Sequence, residues 1–376
     1  MPREQTDGAE AVTWKSVVVN GLYQTGMLRA FQSFSRSYEI AADGRHRGRL
    51  RRVQQPKYLV LGYHRVGTEG PPLYSTLPRD VFASQMRYLK RNFRVISVRQ
   101  MVKELGEAEG HDQAAVITFD DGYAGTFTEA YPVLREYSIP ASVYLTGGAV
   151  ESGEVPWYDL IFLRMRRAAS PLRLVLNEPR TFEFSGKASR LLAAEKVVMY
   201  LRSISDAERR TWCADFERKI PLPADEVRGA MLTWDQIRSM QHGGITFGAH
   251  TMSHPAIAQL TPDAAAAEIG QSKRLIEKRL ATEVNEFAYP FGKTRDCGTA
   301  ATPILRELGF AAAMTTITGV NQPGADVYRL RRVVVNNDCS IARFALQLHR
   351  LMFHPVDEEL SAPTPEYAAA EVRVGA

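Results

Sequence analysis

Three short, largely apolar runs of residues constrain the fold of this chain more than any other feature of its sequence. They are Tyr58–Tyr63 (YLVLGY), Ala114–Phe119 (AAVITF) and Ala141–Leu145 (ASVYL). Largely apolar character without alternating charged residues, over so few residues, is typical of strands that are buried on both faces, as they are in a parallel sheet. Segments with helical spacing separate the runs, so the sequence predicts β–α units and an α/β fold.

The same alternation continues along the rest of the chain. We predict helices over 78–93, 126–137, 234–240, 262–280 and 303–308, and strands over 95–98, 245–249, 286–289 and 332–335. Between 148 and 230 the pattern changes to charged helical segments over 157–167 and 188–218, with a β-like stretch over 172–184. Such a break inside a β–α series indicates an insertion.

The excess positive charge of the chain is confined to its N-terminal segment. Of the 47 Lys and Arg and the 42 Asp and Glu, 10 and 5 respectively fall in residues 1–57, so the remainder is neutral. A neutral body gives no reason to expect a nucleic-acid partner. Residues 14–38 place apolar side chains at helical spacing between basic ones. This pattern favours either packing on the folded body or contact with a membrane surface through residues 14–52.

The cysteines and the lengths of the apolar runs indicate the cellular compartment. Cys213, Cys297 and Cys339 are an odd number, widely separated and without CxxC spacing, so we expect buried thiols. No apolar run reaches the roughly 18 residues of a spanning helix, and none near the N-terminus has the form of a secretory signal. We therefore expect a cytoplasmic location, either free or peripheral on the inner membrane face. Residues 341–353 predict a helix, and the tail after it is expected to fray.

Two adjacent carboxylates end one of the predicted buried strands. Asp120 and Asp121 directly follow Ala114–Phe119 and precede Gly122. Active sites of parallel α/β folds lie at the carboxyl ends of the strands. Consecutive residues there point in different directions, so one carboxylate can bind a metal while its neighbour faces a substrate. The alternative is a solvated turn, since Asp-Asp-Gly is also a common turn sequence.

Two histidines stand four residues apart directly after another predicted strand. A single helical turn would bring His250 and His254 to one side. Two histidines and one carboxylate leave metal positions open for water and substrate. No glutamate lies between the two histidines, in contrast to the HExxH pattern of zinc proteases. The alternative is a pair of structural histidines near a strand end.

Together these motifs resemble those of the NodB-type polysaccharide deacetylases, carbohydrate esterase family 4. The resemblance rests on TFDDGY (118–123), HTMSHP (250–255) and FAYPFG (287–292), which occur in the order found in that family. It covers about residues 58–147 and 231–340. Finding the motifs in this order is much more specific than finding any one of them.

The resemblance implies a distorted, partly closed (β/α) barrel with a helical insertion and an N-terminal amphipathic extension. The predicted divisions are the extension 1–57, a deacetylase domain 58–340 interrupted by the insertion 148–230, and a C-terminal helix and tail 341–376. We expect the insertion to lie over the carboxyl ends of the strands, because it follows the strand that ends near Leu145. Its Trp157, Tyr158 and Trp212 would either stack on a sugar or form the insertion's own core.

The resemblance also implies roles for the residues of its motifs. Asp120 would be the general base, and Asp121, His250 and His254 would bind a divalent metal. Zinc is the first expectation, although such a ligand set accepts other first-row divalent metals. The third motif would offer the backbone N–H of Phe291 to the oxyanion that forms during acyl transfer.

Two features depart from the usual pattern of the family. Ala288 stands where an arginine that orients the base is usual, and Arg332 resembles its replacement in the branch that includes poly-N-acetylglucosamine deacetylases. Otherwise Arg332 is a solvated or salt-bridged strand residue. The histidine that protonates the leaving amine usually follows a late strand, whereas His64 follows the first one, as in a permuted branch. We assign His64 as the general acid, the alternative being a structural histidine.

The activity implied is metal-dependent hydrolysis of an N-acyl group, most often N-acetyl, from an amino sugar in a polysaccharide or glycan. A second expectation keeps this chemistry but places it on a lipid-linked or small amino-sugar precursor at the membrane face, as the amphipathic extension favours. A third is a non-catalytic carbohydrate-binding barrel. Such a barrel would be expected to have lost Asp120 or a metal ligand, and this chain retains them all.

Overall fold

Strands and helices alternate along most of the chain, as a β–α series requires. The computed structural model of the protein describes residues 56–67, 76–107, 113–335 and 340–353. The predicted amphipathic extension lies outside these residues, except for its residues 56 and 57. Cys339 and the predicted tail from residue 354 also lie outside them.

The described residues contain ten strands and thirteen α-helices. The strands are β1 (Tyr58–Tyr63), β2 (Arg94–Val95), β3 (Ala114–Phe119), β4 (Ala141–Leu145), β5 (Leu172–Val175), β6 (Pro179–Phe182), β7 (Thr246–Ala249), β8 (Glu286–Ala288), β9 (Ala312–Met314) and β10 (Val333–Val334). The helices are α1 (Arg79–Asn92), α2 (Val98–Gly106), α3 (Tyr131–Glu136), α4 (Gly147–Ser152), α5 (Trp157–Arg167), α6 (Lys187–Ser203), α7 (Asp206–Lys219), α8 (Ala224–Val227), α9 (Trp234–His242), α10 (Pro262–Leu280), α11 (Thr294–Cys297), α12 (Ala301–Glu307) and α13 (Ile341–Phe353). A π-helical turn, Thr126–Ala130, leads into α3.

A curled parallel sheet contains eight of these strands. Their order is β10-β1-β3-β4-β7-β8-β9, with β2 paired beside the start of β3. The ends of the sheet approach each other, because Leu330 pairs in parallel with Met314 of β9 shortly before the chain enters β10. The N–H of Thr315 also donates a hydrogen bond to the carbonyl of Leu330 at 2.8 Å, which adds a second contact between the ends of the sheet. The predicted α/β fold with a partly closed barrel is confirmed.

Apolar side chains fill the barrel interior, and α2 closes its amino end. This core includes Tyr58, Val60, Ala114, Val116 and Met314 from the strands, and Val98, Met101 and Leu105 from α2. The Tyr58 hydroxyl donates a hydrogen bond to Glu104 of α2 at 3.0 Å, and Arg94 donates two to the same carboxylate at 2.7 and 2.6 Å. The amino end is thereby sealed, and the polar side chains of interest collect at the carboxyl end.

The three apolar runs coincide with β1, β3 and β4, whereas two other predicted elements are wrong. The strand predicted over 95–98 is confined to β2, because the Ser97 hydroxyl accepts a hydrogen bond from the Gln100 N–H at 3.2 Å and begins α2. The single helix predicted over 188–218 is divided, because Ser205 and Glu208 form a capping box at the start of α7.

The segment between β4 and β7 is largely helical and has a core of its own. Side chains from α5, α6 and α7 and from the β5–β6 hairpin form this core, including Ile161, Phe162, Leu174, Val197, Leu201 and Phe216. This core lies within the predicted insertion 148–230. No helix of the described residues combines the length and apolar character needed to cross a membrane.

Candidate active site

Backbone strain is concentrated in the loops that follow β3, β7 and β8. Six non-glycine residues of the described part of the chain have positive φ, and four of them lie in these loops: Asp121 (70°), Thr251 (64°), His254 (56°) and Phe291 (60°). This conformation is unfavourable for residues that carry a Cβ, and it persists where the surrounding structure holds it. Strain of this kind clusters at functional sites, and here it coincides with three of the predicted site residues.

The side chains of Asp121, His250 and His254 come together at the carboxyl ends of the sheet strands. The Asp121 Oδ1 atom lies 3.5 Å from Nε2 of His250 and 3.4 Å from Nε2 of His254. All three side chains are buried, and their ligand atoms lie within 4.8 Å of one another. No described residue provides a hydrogen bond of good geometry to this buried Oδ1. A buried carboxylate oxygen of this kind, facing two imidazole nitrogens, fits a metal site.

The surroundings of Asp121 and His254 favour their metal-binding forms, and a hydrogen bond fixes the tautomer of His250. The Nδ1 atom of His250 lies 2.7 Å from the carbonyl oxygen of Ala288, so it carries the proton and leaves Nε2 free as a ligand. Burial would raise the pKa of Asp121, but its interactions with His250 and His254 outweigh burial and hold that pKa well below its usual value. Burial lowers the pKa of His254 to about 4. An ionised carboxylate beside a neutral imidazole is the form that binds metal.

Asp120, the other carboxylate of the pair, faces a buried arginine. Arg332 Nη1 and Nη2 donate hydrogen bonds to the two carboxylate oxygens, both at 2.7 Å. Arg332 is fully buried, and its Nε donates to the carbonyl of Thr315 at 2.7 Å. Burial would raise the pKa of Asp120, but Arg332 and His250 outweigh it and lower the pKa. Arg332 is therefore a buried partner of Asp120 and is not a solvated strand residue.

The positions of Ala288 and Arg332 explain why Arg332 is the arginine that pairs with Asp120. Ala288 belongs to the barrel interior, and its carbonyl accepts the hydrogen bond from His250. Arg332 lies immediately before β10, whose partner β1 neighbours β3, the strand that leads into Asp120. The Arg332 side chain also passes beside Gly62, where an added Cβ would lie 3.6 Å from Nη1. A guanidinium thus reaches Asp120 from the residue before β10 and not from β8, which carries Ala288.

His64 lies beside Asp120, and Phe291 lies beside His254. His64 follows β1, and its Nε2 is 3.9 Å from Oδ2 of Asp120, with 37% of the side chain exposed. Phe291 follows β8 through Pro290, and its ring packs on His254 with centroids 4.8 Å apart. No described residue accepts a hydrogen bond from the Phe291 N–H. The structure therefore gathers all seven predicted site residues at one end of the barrel.

Glu268 of α10 holds the loop between the two histidines, a role that no sequence motif indicates. Its Oε2 accepts hydrogen bonds from the N–H groups of Met252 and Ser253, both at 2.9 Å. Its Oε1 accepts one from the Ser253 hydroxyl at 2.7 Å. This carboxylate holds the strained turn from Thr251 to His254 together with the Thr251 hydroxyl, which accepts a hydrogen bond from the His254 N–H at 3.0 Å. Only the folded structure reveals this contact, because Glu268 lies 15 residues beyond Ser253.

The insertion packs directly on the site. The Trp157 Nε1 donates a hydrogen bond to the carbonyl of His254 at 3.0 Å, and the Tyr158 ring lies 4.7 Å from the His254 ring. These contacts put helix α5 at the carboxyl ends of the strands, as predicted. Trp157 and Tyr158 are buried, and Trp212 packs on Phe216 within the insertion. Of the two expectations for these aromatic residues, the core of the insertion is the one observed.

Comparison with known proteins gives a consistent result. Residues 107–313 match the family model described as "Polysaccharide deacetylase". The chain is 20% identical over 303 residues to "Putative polysaccharide deacetylase YxkH" of Bacillus subtilis (strain 168), covering 80% of this chain and 79% of that protein. Its fold is similar to the Streptococcus pyogenes deacetylase PplD in complex with acetate, at 19% identity and a TM-score of 0.54, with 80% of this chain and 99% of that chain covered. IcaB from Ammonifex degensii gives 20% identity and a TM-score of 0.52, covering 80% and 98%.

Proposed function

Because this chain belongs to the polysaccharide deacetylase family, we propose that it is a metal-dependent hydrolase that removes an N-acyl group, most often N-acetyl, from an amino sugar in a polysaccharide or glycan. The observation that carries the proposal is the position of the Asp120–Arg332 ion pair directly beside the cluster of Asp121, His250 and His254. An oriented base next to three metal ligands is an arrangement suited to hydrolysis of an unactivated amide.

Asp121, His250 and His254 are the residues that would hold the metal. The unpartnered Asp121 Oδ1 and the fixed tautomer of His250 support this assignment. When bound, a divalent metal supplies a Lewis acid that polarises a carbonyl group and acidifies water. Two imidazoles and one carboxylate suit zinc, and they also accept other first-row divalent metals.

The chain's own groups account for the proton transfers. Asp120 accepts a proton from the attacking water, while Arg332 fixes the orientation of its carboxylate. The Phe291 N–H donates a hydrogen bond to the acyl oxygen as negative charge develops there. His64 donates a proton to the sugar nitrogen as the carbon–nitrogen bond breaks, which releases a free amine and a carboxylate.

Release of amines from N-acetylglucosamine oligomers tests the proposal. Purified protein should release amines, lose this activity after treatment with a chelator, and regain it when zinc is added. Binding of the oligomers without release of amine or acetate, with zinc present, would instead favour the carbohydrate-binding barrel. Oligomers of different length and N-acylated monosaccharides, compared in the same assay, would separate a polymer substrate from a small precursor.

Glu268→Ala is expected to weaken metal binding, because residues that orient metal ligands commonly contribute about 10- to 100-fold to affinity. The substitution removes three hydrogen bonds that hold the turn between His250 and His254. Competition with a zinc chelator measures the dissociation constant. Glu277→Ala, also on α10, is the matched control, because Glu277 contacts Lys273 and the Val284 N–H at a distance from the histidine turn. Equal zinc affinity in both variants would show that Glu268 does not orient the ligands.

A further inference from the structure

The residue that follows His64 is anchored in the insertion by a buried ion pair. Arg65 and Asp159 of α5 are both buried, and Arg65 Nη2 donates a hydrogen bond to Asp159 Oδ2. The Tyr123 hydroxyl donates to the same Oδ2 at 2.7 Å, and the Arg65 guanidinium lies 3.9 Å from the centre of the Tyr123 ring. Tyr123 follows the Asp120-Asp121-Gly122 turn. The network therefore joins the loop after β1, the loop after β3 and the insertion.

The His64 side chain itself has little to hold it. Its nearest charged neighbour among the described residues is Asp120 at 3.9 Å, which is beyond hydrogen-bond distance, and no described residue makes a hydrogen bond to its ring. The position of the imidazole is consequently set by the backbone on either side. The Tyr63 carbonyl accepts a hydrogen bond from the Asp120 N–H at 2.9 Å, and the Arg65 carbonyl accepts one from the Leu77 N–H at 3.0 Å. Both neighbours of His64 have anchored side chains: the Tyr63 hydroxyl donates a hydrogen bond to Gln85 at 3.0 Å, and Arg65 ties the other side to the insertion.

The same helix also contacts a metal-ligand residue. Tyr158 precedes Asp159, and its ring packs on His254. One turn of α5 thus touches both the loop of the general acid and the loop of the metal ligands. Buried ion pairs contribute little net stability compared with apolar packing, because desolvation offsets their attraction. Their defined geometry makes them better suited to fixing relative positions.

We infer that Arg65 and Asp159 are positioning residues that hold His64 at the distance from the metal-ligand cluster at which it can protonate the leaving amine. The inference rests on the proposed deacetylase function. It differs from a purely structural role in one respect. Loss of the Arg65–Asp159 pair should impair the proton transfer made by His64 and leave the other steps largely intact.

A substrate whose leaving group needs no proton distinguishes a role in positioning His64 from a purely structural role. Cleavage of an amide releases an amine, which departs only when its nitrogen receives a proton. Cleavage of 4-nitrophenyl acetate releases a stabilised phenolate that needs none. General acid catalysis commonly contributes about 10²- to 10⁴-fold. Asp159→Asn should therefore lower kcat on N-acetylglucosamine oligomers by about 10-fold or more, in the same direction as His64→Ala, while the rate on the aryl ester stays close to wild type.

A second buried pair provides a matched control. Arg202 of α6 donates a hydrogen bond from Nε to Asp296 at 2.8 Å, both residues are buried, and the Arg202 guanidinium lies 4.5 Å from the centre of the Phe291 ring. This pair joins the same insertion to the loop after β8. Asp296→Asn should disturb the Phe291 N–H, which serves both substrates. We expect it to lower amide and ester hydrolysis in similar proportion.

Bound zinc per chain is measured for every variant and should equal that of the wild type. If Asp159→Asn does not fold, the double variant Arg65→Met with Asp159→Leu replaces the pair by apolar residues, a change that is commonly tolerated. Equal loss of both activities in the Asp159 variant, or unchanged amide hydrolysis, would overturn the inference alone. A wild-type protein inactive on both substrates with zinc bound would reject the proposed function and the inference with it.

Discussion

Asp120→Asn is expected to lower the turnover of N-acetylglucosamine oligomers by about 10²- to 10⁴-fold, the usual contribution of a general base. Asparagine preserves the shape of the side chain and one acceptor for Arg332, but it cannot take a proton from water. The fold and the cluster of Asp121, His250 and His254 should remain intact. Steady-state measurement of kcat at saturating substrate checks this expectation.

Asp263→Asn is the appropriate control for that variant. Asp263 is an exposed carboxylate in the first turn of α10, so its replacement removes the same charge without touching the site. Its turnover should equal that of the wild type. If Asp120→Asn also retained wild-type turnover, Asp120 could not be the base.

Arg332→Met is expected to lower stability by about 3–5 kcal/mol at neutral pH, as is common when one partner of a buried ion pair is removed. The change leaves the buried Asp120 carboxylate without the two hydrogen bonds that now satisfy it. Turnover should also fall by about 10²-fold or more, because the base loses the two hydrogen bonds that orient it. Urea unfolding of chelator-treated protein gives the stability, and the amine-release assay gives the turnover.

The loss of stability should depend on pH in a defined direction. In the wild type, burial raises the pKa of Asp120 but Arg332 outweighs it, so the folded pKa lies below the unfolded one. The resulting stabilisation is present above the ordinary aspartate pKa of about 4 and is lost as the pH falls through the lower, folded pKa. In Arg332→Met, burial dominates and raises the folded pKa of Asp120. That variant is destabilised as the pH rises through the raised value, so the two proteins should differ most near neutral pH.

A double variant separates this effect from the loss of packing. Adding Asp120→Asn to Arg332→Met removes the unpaired charge and should recover much of the stability near neutral pH. Arg332→Lys keeps a positive charge but cannot donate two parallel hydrogen bonds to the carboxylate. Its stability should therefore lie between those of the wild type and Arg332→Met. Equal stability of all four proteins at every pH would contradict a buried, charge-paired Asp120.

The barrel strands could be predicted from sequence because burial on both faces leaves a direct signature. The runs at β1, β3 and β4 are largely apolar and carry no charged residue, and their predicted bounds coincide with the observed ones. The predicted strand over 95–98 failed because apolar residues continue past Val95 while the Ser97 cap starts a helix. Here a single side-chain hydrogen bond decided the local structure over the apolar pattern.

The cluster of Asp121, His250 and His254 was accessible from sequence because its members lie in two short motifs at strand ends. The contacts that position Asp120 and His64 could not be predicted from sequence, because they join distant parts of the chain. Arg332 and Asp120 are 212 residues apart, and Arg65 and Asp159 are 94 apart. The resemblance to known deacetylases drew attention to Arg332, whereas Asp159 and Glu268 carry no motif. Residue spacing alone cannot show which buried charges of an insertion meet a catalytic loop.

Asp120 and Asp121 are adjacent carboxylates with different proposed roles, and the zinc content of variants at each position tests this difference most directly. Wild type, Asp120→Asn and Asp121→Asn are stripped of metal, dialysed against a limiting concentration of zinc and analysed for zinc per chain. Asp120→Asn should retain zinc like the wild type and yet lack turnover, whereas Asp121→Asn should lose zinc, because it lacks one of only three protein ligands. Loss of zinc from Asp120→Asn together with its retention by Asp121→Asn would contradict the assignment.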